Sequence, residues 1–275
     1  MTTPYPFDIR VLIRGGGEMA SGIAHRLHQC HMQVLITEVA EPTAVRRSVA
    51  FAEAVYCGRQ TIENVTAVLD ATCLDALIEW QHDAIPLFID PQAKIIREVM
   101  PAVIVDATMS KSGGDTKLSD APLVIGIGPG FTVGDNAHAV IESNRGYHLG
   151  RVIWQGAAQP DTGVPAPVAG HTEARVMRAP RSGCFSSCRA IGDRVAAGEI
   201  VGEVDGAPVR AQIAGLVRGM LHNGIQISAG VKVGDIDPRG ETEYCGSISD
   251  KARAIGGGVV EAIFHSYPRL KNPAT

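Results

Sequence analysis

Three consecutive glycines, Gly15 to Gly17, follow a short apolar run and precede apolar residues at helical spacing. This change of period predicts a strand that turns directly into a helix. Glycines allow a tight turn, and the N–H groups at a helix start attract a phosphate or pyrophosphate. Glu38 ends the next predicted strand, about twenty residues on, where a carboxylate is expected to bind a ribose hydroxyl. These residues predict the first half of a dinucleotide-binding unit.

The glycine spacing leaves a second interpretation open. Gly15, Gly17 and Gly22 form G-x-G-x-x-x-x-G and not the standard G-x-G-x-x-G, so the glycines can also serve only the turn. Glu18 places a carboxylate near the mouth of the loop, where it either repels a phosphate or caps the helix.

Two more short apolar runs end at polar residues or glycines. Residues 102–106 end in Asp106, and residues 123–128 lead into the turn Gly128-Pro129-Gly130. Ligands of open α/β sheets bind beyond the carboxyl ends of the strands, so these residues are expected to share a rim with the first glycine loop. Lys111, in a serine- and glycine-rich loop, is the best candidate for a functional lysine; a plain surface lysine is the alternative.

An internal repeat occupies the region after residue 173, with a constant offset of 32 residues and no gap. Its matched pairs include Arg178 with Arg210, Gly183 with Gly215, Gly192 with Gly224, Gly198 with Gly230, and Asp205 with Asp237. Such a duplication predicts two interlocked β-halves related by a pseudo-twofold axis, and it resembles the biotinyl/lipoyl barrel family. The hairpin between the halves, residues 203–208, has no lysine to carry a swinging arm, so we interpret the module as a docking or lid domain.

The predicted fold class is α/β. A Rossmann-like parallel-sheet domain spans residues 1–155, a Gly/Pro-rich crossover residues 156–173, and a small all-β barrel-sandwich (biotinyl/lipoyl-like) domain residues 174–240. Residues 241–275 form a C-terminal helix that returns to the α/β domain. Gly256 to Gly258 weaken such a helix, so we expect close packing at that point, against either the first domain or a ligand.

Composition bounds the partners and the compartment. The 275 residues carry a net charge of −4 with no run of lysine or arginine, which gives no indication of nucleic acid or an anionic membrane. No apolar segment approaches the length of a membrane span, and residues 1–8 lack a signal pattern. Six scattered cysteines are typical of reduced thiols, so a cytoplasmic location is expected. Assembly into a homo-oligomer stays open.

Few residues suggest catalysis. Cys57 and Cys245 each adjoin a glycine at a predicted loop, and with Lys111 they are the catalytic candidates. Cys184 and Cys188 have a spacing seen in metal sites, but no second pair completes a tetrahedral set, so no metal site is predicted. No G-x-S-x-G elbow, P-loop or zincin helix occurs, which argues against a hydrolase or a P-loop protein.

Seven segments spread over nearly the whole chain resemble the accessory proteins of the selenium-dependent molybdenum hydroxylase system. They are residues 14–17, 47–56, 106–111, 126–131, 145–153, 234–239 and 248–258. The N-terminal half of that family is similar to the Rossmann domain of xanthine dehydrogenase accessory proteins.

The resemblance implies a maturation factor, more a cofactor-handling chaperone than an enzyme, with a molybdenum hydroxylase subunit as partner. It implies that the rim holds a dinucleotide form of the molybdenum cofactor or a selenium-bearing intermediate, with Cys57 or Cys245 handling selenium or sulfur. The expected cofactor-binding residues are Gly15, Gly16, Gly17, Glu38, Asp106, Lys111, Gly128, Gly130, Lys251 and Arg253. Two alternatives remain open: an NAD(P)-dependent oxidoreductase, which Glu38 favours, and a non-catalytic interaction scaffold with an empty glycine turn.

Overall fold

The chain forms two compact units in a computed structural model that describes residues 9–70, 72, 76, 79–80 and 82–271. The first unit comprises the chain up to Pro42, Phe51–Asp161 and the chain from Ile248 onward, and the second comprises Thr43–Ala50 and Thr162–Ser247. Residues 1–8, from which the lack of a signal pattern is argued, lie outside the described residues.

The first unit is built on a mixed sheet of nine strands within the described residues. In spatial order β3-β4-β5-β2-β1-β6-β7-β8-β9, its neighbours are parallel except at the two edges, where β3 pairs antiparallel with β4 and β9 with β8. The strands are β1 (Arg10–Arg14), β2 (Gln33–Glu38), β3 (Arg59–Ile62), β4 (Val65–Asp70), β5 (Ile85–Ile89), β6 (Val103–Asp106), β7 (Leu123–Ile127), β8 (Ala139–Ile141) and β9 (Val152–Ile153).

The central strands are almost continuously apolar because both faces of the sheet are covered. Leu12, Leu35 and Ile104 are completely buried on one face, in a cluster that includes Trp80 and Phe88. Burying each such aliphatic side chain contributes roughly 1.5–3 kcal/mol, so the central strands form a stable base for the loops that follow β1, β2 and β6.

The described helices are α1 (Glu18–Gln29), α2 (Ala54–Cys57), α3 (Ile96–Val99), α4 (Glu243–Gly246) and α5 (Asp250–Lys271), with short 3₁₀ turns at Arg47–Val49, Phe51–Glu53, Leu118–Asp120 and Glu173–Arg175. Helix α4 belongs to the second unit and the other four to the first. No helix in this part of the chain is both long enough and apolar enough to cross a membrane.

Helices α1 and α5 pack side by side through glycines. A Cβ on Gly22 would lie 2.6 Å from the Cβ of Ala252, and a Cβ on Gly256 would lie 3.2 Å from the carbonyl oxygen of Gly22. A Cβ on Gly258 would lie 2.1 Å from the carbonyl oxygen of Gly150. Gly256 and Gly258 within α5 are therefore explained by the close approach of neighbouring backbone, which offsets their low helix propensity.

The second unit contains two antiparallel four-stranded sheets, ordered β10-β17-β15-β12 and β14-β13-β11-β16. Their strands are β10 (Val176–Arg178), β11 (Gly183–Ser187), β12 (Arg194–Val195), β13 (Ile200–Val204), β14 (Ala207–Arg210), β15 (Gly215–Met220), β16 (Gln226–Ile227) and β17 (Lys232–Asp237). An offset of 32 residues maps β10, β11, β12 and β13 onto β14, β15, β16 and β17. The strand order of one sheet is thereby converted into that of the other.

Backbone hydrogen bonds follow the same repeat. The N–H of Gly192 donates to the carbonyl of Val217 at 2.8 Å, and the N–H of its counterpart Gly224 donates to the carbonyl of Phe185 at 2.9 Å. Each half therefore supplies acceptors for the other, as expected of units that cannot bury a face alone. The α/β class is thus confirmed as a large mixed sheet with two antiparallel sheets and a C-terminal helix.

Candidate functional site

The glycine loop connects β1 to α1 in a conformation that requires glycine at two positions. Gly15 has a φ of +87°, and a Cβ there would lie 3.3 Å from the carbonyl oxygen of Ala107. A Cβ on Gly16 would lie 2.9 Å from the backbone nitrogen of Ala52. Gly15 donates its N–H to the carbonyl of Thr37 at 2.8 Å, which joins the loop to the end of β2. Glycine is therefore needed at Gly15 for the backbone angle and at Gly16 for space.

The carbonyl group of Gly16 holds the loop in a single conformation. It accepts hydrogen bonds from the Ala52 N–H at 2.8 Å and from the Ser21 hydroxyl at 3.0 Å. Ser21 in turn accepts the N–H of Phe51 at 2.7 Å. This role of Ser21 could not be predicted from the sequence, because a serine inside a helix usually faces solvent or bonds to its own helix.

Glu38 lies against the glycine loop, as its place in the sequence predicts. One carboxylate oxygen accepts the N–H of Gly16 at 2.7 Å, and the other accepts the N–H of Val39 at 2.7 Å. Burial raises the pKa of Glu38, and the two backbone hydrogen bonds oppose that rise. A carboxylate has about four acceptor positions, so two remain for hydroxyl groups of a ligand.

The N-terminal end of α1 is open beside this carboxylate. Gly17 is its N-cap residue, with extended backbone and no side-chain capping hydrogen bond. Unlike Gly15 and Gly16, it has no atom within 4 Å of the position of a Cβ. Helix starts leave N–H groups without intrahelical partners, and these groups and the helix dipole favour an anion. The geometry thus combines N–H donors with an acceptor for hydroxyl groups.

Asp106 is completely buried and engaged by protein side chains. It accepts hydrogen bonds from the hydroxyl groups of Thr108 and Thr116, and lies 3.6 Å from the Arg14 guanidinium. Arg14 also pairs with Asp115 at 2.5 Å. This network fixes the loop that follows β6, so Asp106 positions the rim but presents no open face to a ligand.

The second glycine turn packs against the loop that carries Lys111. A Cβ on Gly130 would lie 2.6 Å from the backbone nitrogen of Gly113, and a Cβ on Gly128 would lie 2.3 Å from the Ser143 hydroxyl oxygen. Both glycines have positive φ, +76° at Gly128 and +96° at Gly130. Positive backbone angles and close packing thus account for these two glycines without a bound anion.

Lys111 and Lys251 belong to one group of charged residues at this rim. Lys111 is largely exposed, and its Nζ lies 2.5 Å from a carboxylate oxygen of Asp161. Burial lowers the pKa of Lys251, and the charge of Arg145 lowers it further, whereas Glu18, Glu142 and Asp161 raise it. Within the described residues, no hydrogen bond or ion pair engages the Lys251 ammonium group. Three carboxylates around one lysine were not predicted from the sequence, because they come from distant segments.

Arg253 lies apart from this group. Its guanidinium bonds to both carboxylate oxygens of Glu63, at 2.8 and 2.7 Å. Residues two apart on a helix point in nearly opposite directions, which explains why Lys251 and Arg253 do not act together. We expect Arg253 to fix the β3–β4 turn to α5.

The two candidate cysteines lie in different units. Cys57 is exposed in the first unit, with its Sγ 3.1 Å from the carbonyl oxygen of Glu53. Cys245 is buried in the second unit, and burial raises its pKa. A buried thiol of raised pKa is a poor nucleophile. None of the five cysteines in the described residues forms a disulfide, and Cys73 lies outside those residues.

Metal binding has no evident site in the described part of the chain. No group of three or more histidine, cysteine, aspartate or glutamate side chains is arranged there to hold an ion. The Asp106, Glu142 and Asp161 carboxylates are accounted for by the protein contacts and charges described above.

Comparison with known sequences gives one informative relative. The chain is similar to a protein of Escherichia coli K-12 described as the uncharacterized protein YqeB. The two are 46% identical over 253 residues, which is 92% of this chain and 47% of the relative. The chain thus spans about half the length of that relative. No family model matches the sequence.

Solved structures with low similarity to the chain come from three bacteria. They include an aspartoacylase family protein from Mesorhizobium loti (12% identity, TM-score 0.27, 84% of this chain and 85% of that one) and the product-bound ectoine utilization protein EutE (DoeB) from Ruegeria pomeroyi (14%, 0.25, 83% and 85%). A succinylglutamate desuccinylase/aspartoacylase from Rhodobacter sphaeroides has 14% identity and a TM-score of 0.23, covering 83% and 85%. Scores this low transfer neither fold nor activity to this chain.

These comparisons correct the family expectation drawn from the sequence. The matched structures are described as an aspartoacylase family protein, an ectoine utilization protein and a succinylglutamate desuccinylase/aspartoacylase, and the sequence relative is described as uncharacterized. The assignment to the accessory proteins of selenium-dependent molybdenum hydroxylases is contradicted, together with its maturation function and its molybdenum and selenium chemistry. The assignment rested on short segments, several of which are glycine turns, and such turns recur wherever backbone must turn tightly.

Proposed function

We propose that the first unit binds a dinucleotide-type small molecule at the carboxyl edge of its sheet. The observation that carries this proposal is the contact between Gly16 and Glu38 beside the open N-terminal end of α1. In this arrangement the phosphates accept N–H groups from the start of α1, and a ribose hydroxyl donates to Glu38.

The strand order supports this proposal. The six strands β5-β2-β1-β6-β7-β8 repeat the order 3-2-1-4-5-6 of a Rossmann-like sheet, and the glycine loop follows β1 at the point where the order reverses. We therefore infer a Rossmann-like core to which β3, β4 and β9 are added. The duplicated second unit is inferred to be a barrel-sandwich of the biotinyl/lipoyl type.

Apolar side chains next to Glu38 suit the base of such a ligand. Val39 and Ile89 are 42% and 46% exposed at the ends of β2 and β5, and Ile89 pairs with Glu38 in the sheet. Exposed aliphatic groups beside a carboxylate can cover the flat face of a base while the carboxylate binds the sugar. Lys251 is partly buried and interacts electrostatically with Glu18, the first residue of α1, so it adds a positive charge for a phosphate.

The proposal is tested by calorimetric titration of the protein with NAD⁺, NADP⁺ and ADP-ribose. The variant Gly17→Asp introduces a side chain that caps helices well, so the fold is retained while the new carboxylate occupies the N–H groups and repels phosphate. We expect affinity to fall at least about tenfold. The matched control is Gly246→Asp, at an exposed glycine of the second unit that likewise has open space around its Cβ position.

Glu38→Gln tests the sugar end separately. A carboxylate discriminates against a 2′-phosphate, so the wild-type protein should prefer NAD⁺ to NADP⁺, and the variant should bind NAD⁺ more weakly and lose the preference. The proposal fails if the wild-type protein binds none of the three ligands. It also fails if Gly17→Asp binds them as well as Gly246→Asp does.

A further inference from the structure

The second unit contains a groove of about 370 Å³ lined by residues of β10 and β14. Two pairs of its lining residues are equivalent in the internal repeat, Val176 with Pro208 and Arg178 with Arg210. The groove is therefore lined by both halves of the repeat, and each half contributes an arginine to it.

Most donors of these two arginines are uncommitted. Arg178 donates from Nη1 to the carbonyl of Gly230 at 3.1 Å, and Arg210 donates from Nη1 to the carbonyl of Gly198 at 2.8 Å. Each guanidinium has five N–H donors, and both side chains are exposed. One contact to a glycine carbonyl orients each guanidinium and leaves the other donors for a ligand.

The charge balance of the groove is positive. Glu173 is its acidic lining residue, and Gln212 adds an amide. Among the described residues, no carboxylate forms an ion pair with Arg178 or Arg210. Val209 is buried beside them and Val176 is 3% exposed, so the arginines project from an apolar base. Ion pairs are stronger where apolar surface limits hydration.

We propose that this groove binds a small molecule with two oxyanion groups, one at each arginine. A guanidinium matches the geometry of a carboxylate or phosphate with two parallel N–H donors, which favours such groups over chloride or a neutral ligand. A diphosphate and a short dicarboxylate share this chemistry. The proposal concerns the second unit alone and does not depend on a nucleotide at the glycine loop.

The test is calorimetric titration of the full chain with pyrophosphate and, separately, with succinate, at low ionic strength. Binding of either should weaken about tenfold or more in Arg178→Gln and also in Arg210→Gln. Arg178→Lys keeps the charge but not the paired donors, and should fall between the wild-type protein and Arg178→Gln. Preference for one probe identifies phosphate or carboxylate as the natural group.

Two variants keep the test specific. Arg194→Gln is the matched control, because Arg194 is also exposed in this unit and also donates to a glycine carbonyl, that of Gly240 at 3.0 Å. It should leave binding unchanged, and so should Gly17→Asp. The proposal is overturned if neither probe binds the wild-type protein, if Arg194→Gln weakens binding as much as Arg210→Gln, or if Gly17→Asp abolishes it.

Discussion

Arg178 and Arg210 make the same contact in opposite halves of the second unit. Each donates from Nη1 to a glycine carbonyl of the other half, Gly230 at 3.1 Å and Gly198 at 2.8 Å. The acceptor glycines are themselves equivalent in the repeat, with φ of +81° and +86°. The two halves therefore meet the same local requirements with the same residue types.

The same substitution at equivalent positions of the repeat should lower the free energy of unfolding by a similar amount. Gly198→Ala and Gly230→Ala each force a left-handed backbone on a residue with a Cβ, while no atom lies within 4 Å of that Cβ. We expect each to lower the free energy of unfolding by about 1 kcal/mol, and the two costs to agree. Urea unfolding measures both, with Gly246→Ala as the control at a glycine without positive φ. A large cost at only one position would show that the two turns are not equivalent.

The packing of α5 on α1 makes an opposite pair of predictions at two helical glycines. Gly22→Ala places a methyl group 2.6 Å from the Cβ of Ala252, so it should destabilise by about 1–3 kcal/mol. Gly257→Ala meets open space and should stabilise by about 0.5–1 kcal/mol through helix propensity. Thermal unfolding of both variants checks the signs. Equal effects of the two substitutions would contradict the helix packing described here.

The parts of the site that the sequence could predict are local. The sequence places glycines after one apolar strand and an acid at the end of the next. Parallel neighbouring strands end at the same edge of the sheet, so Gly16 and Glu38 lie close together. The repeat could be recognised in the sequence because its offset is constant and its turns use glycine. Both predictions depend on short-range geometry that each residue imposes on its own backbone.

The remaining features depend on loop paths that no local pattern specifies. Asp106 was predicted as a ligand residue, but Arg14 and Thr116 surround it because the loop after β6 folds back over the strand ends. Arg253 was grouped with Lys251, although helical geometry already separates their side chains. The family assignment was wrong for another reason, because it rested on short matching segments and not on the geometry of a functional site.

The thiols should differ sharply in reactivity. Cys57 is exposed, whereas Cys245 is 7% exposed with a pKa raised by burial. We expect iodoacetamide at neutral pH to modify Cys245 on the order of a hundredfold more slowly than Cys57, because attack needs a thiolate and access. Peptide mapping by mass spectrometry separates the sites, and exposed Cys188 is the positive control. In urea the rates should converge; equal rates in the native protein would contradict the burial of Cys245.

Lys251 should make the stability of the protein rise with pH in the alkaline range. Burial lowers its pKa in the folded state below the ordinary value of about 10.4, so between the two values the unfolded chain binds more protons. The cost of burying the charged amine is full below the folded pKa and is relieved as pH rises toward the unfolded one. Lys251→Met should therefore be more stable than the wild-type protein at pH 7.

The pH dependence separates this effect from a change in packing. The advantage of Lys251→Met should shrink as pH rises and should vanish above about pH 10.4, where the amine is neutral in both states. Urea unfolding at several pH values between 7 and 10.5 measures it. Lys111→Met removes the exposed lysine of the same charged group and should keep the alkaline rise, because Lys251 is still present. A variant difference that stays constant over this range would show that Lys251 acts through contacts other than the burial of its charge.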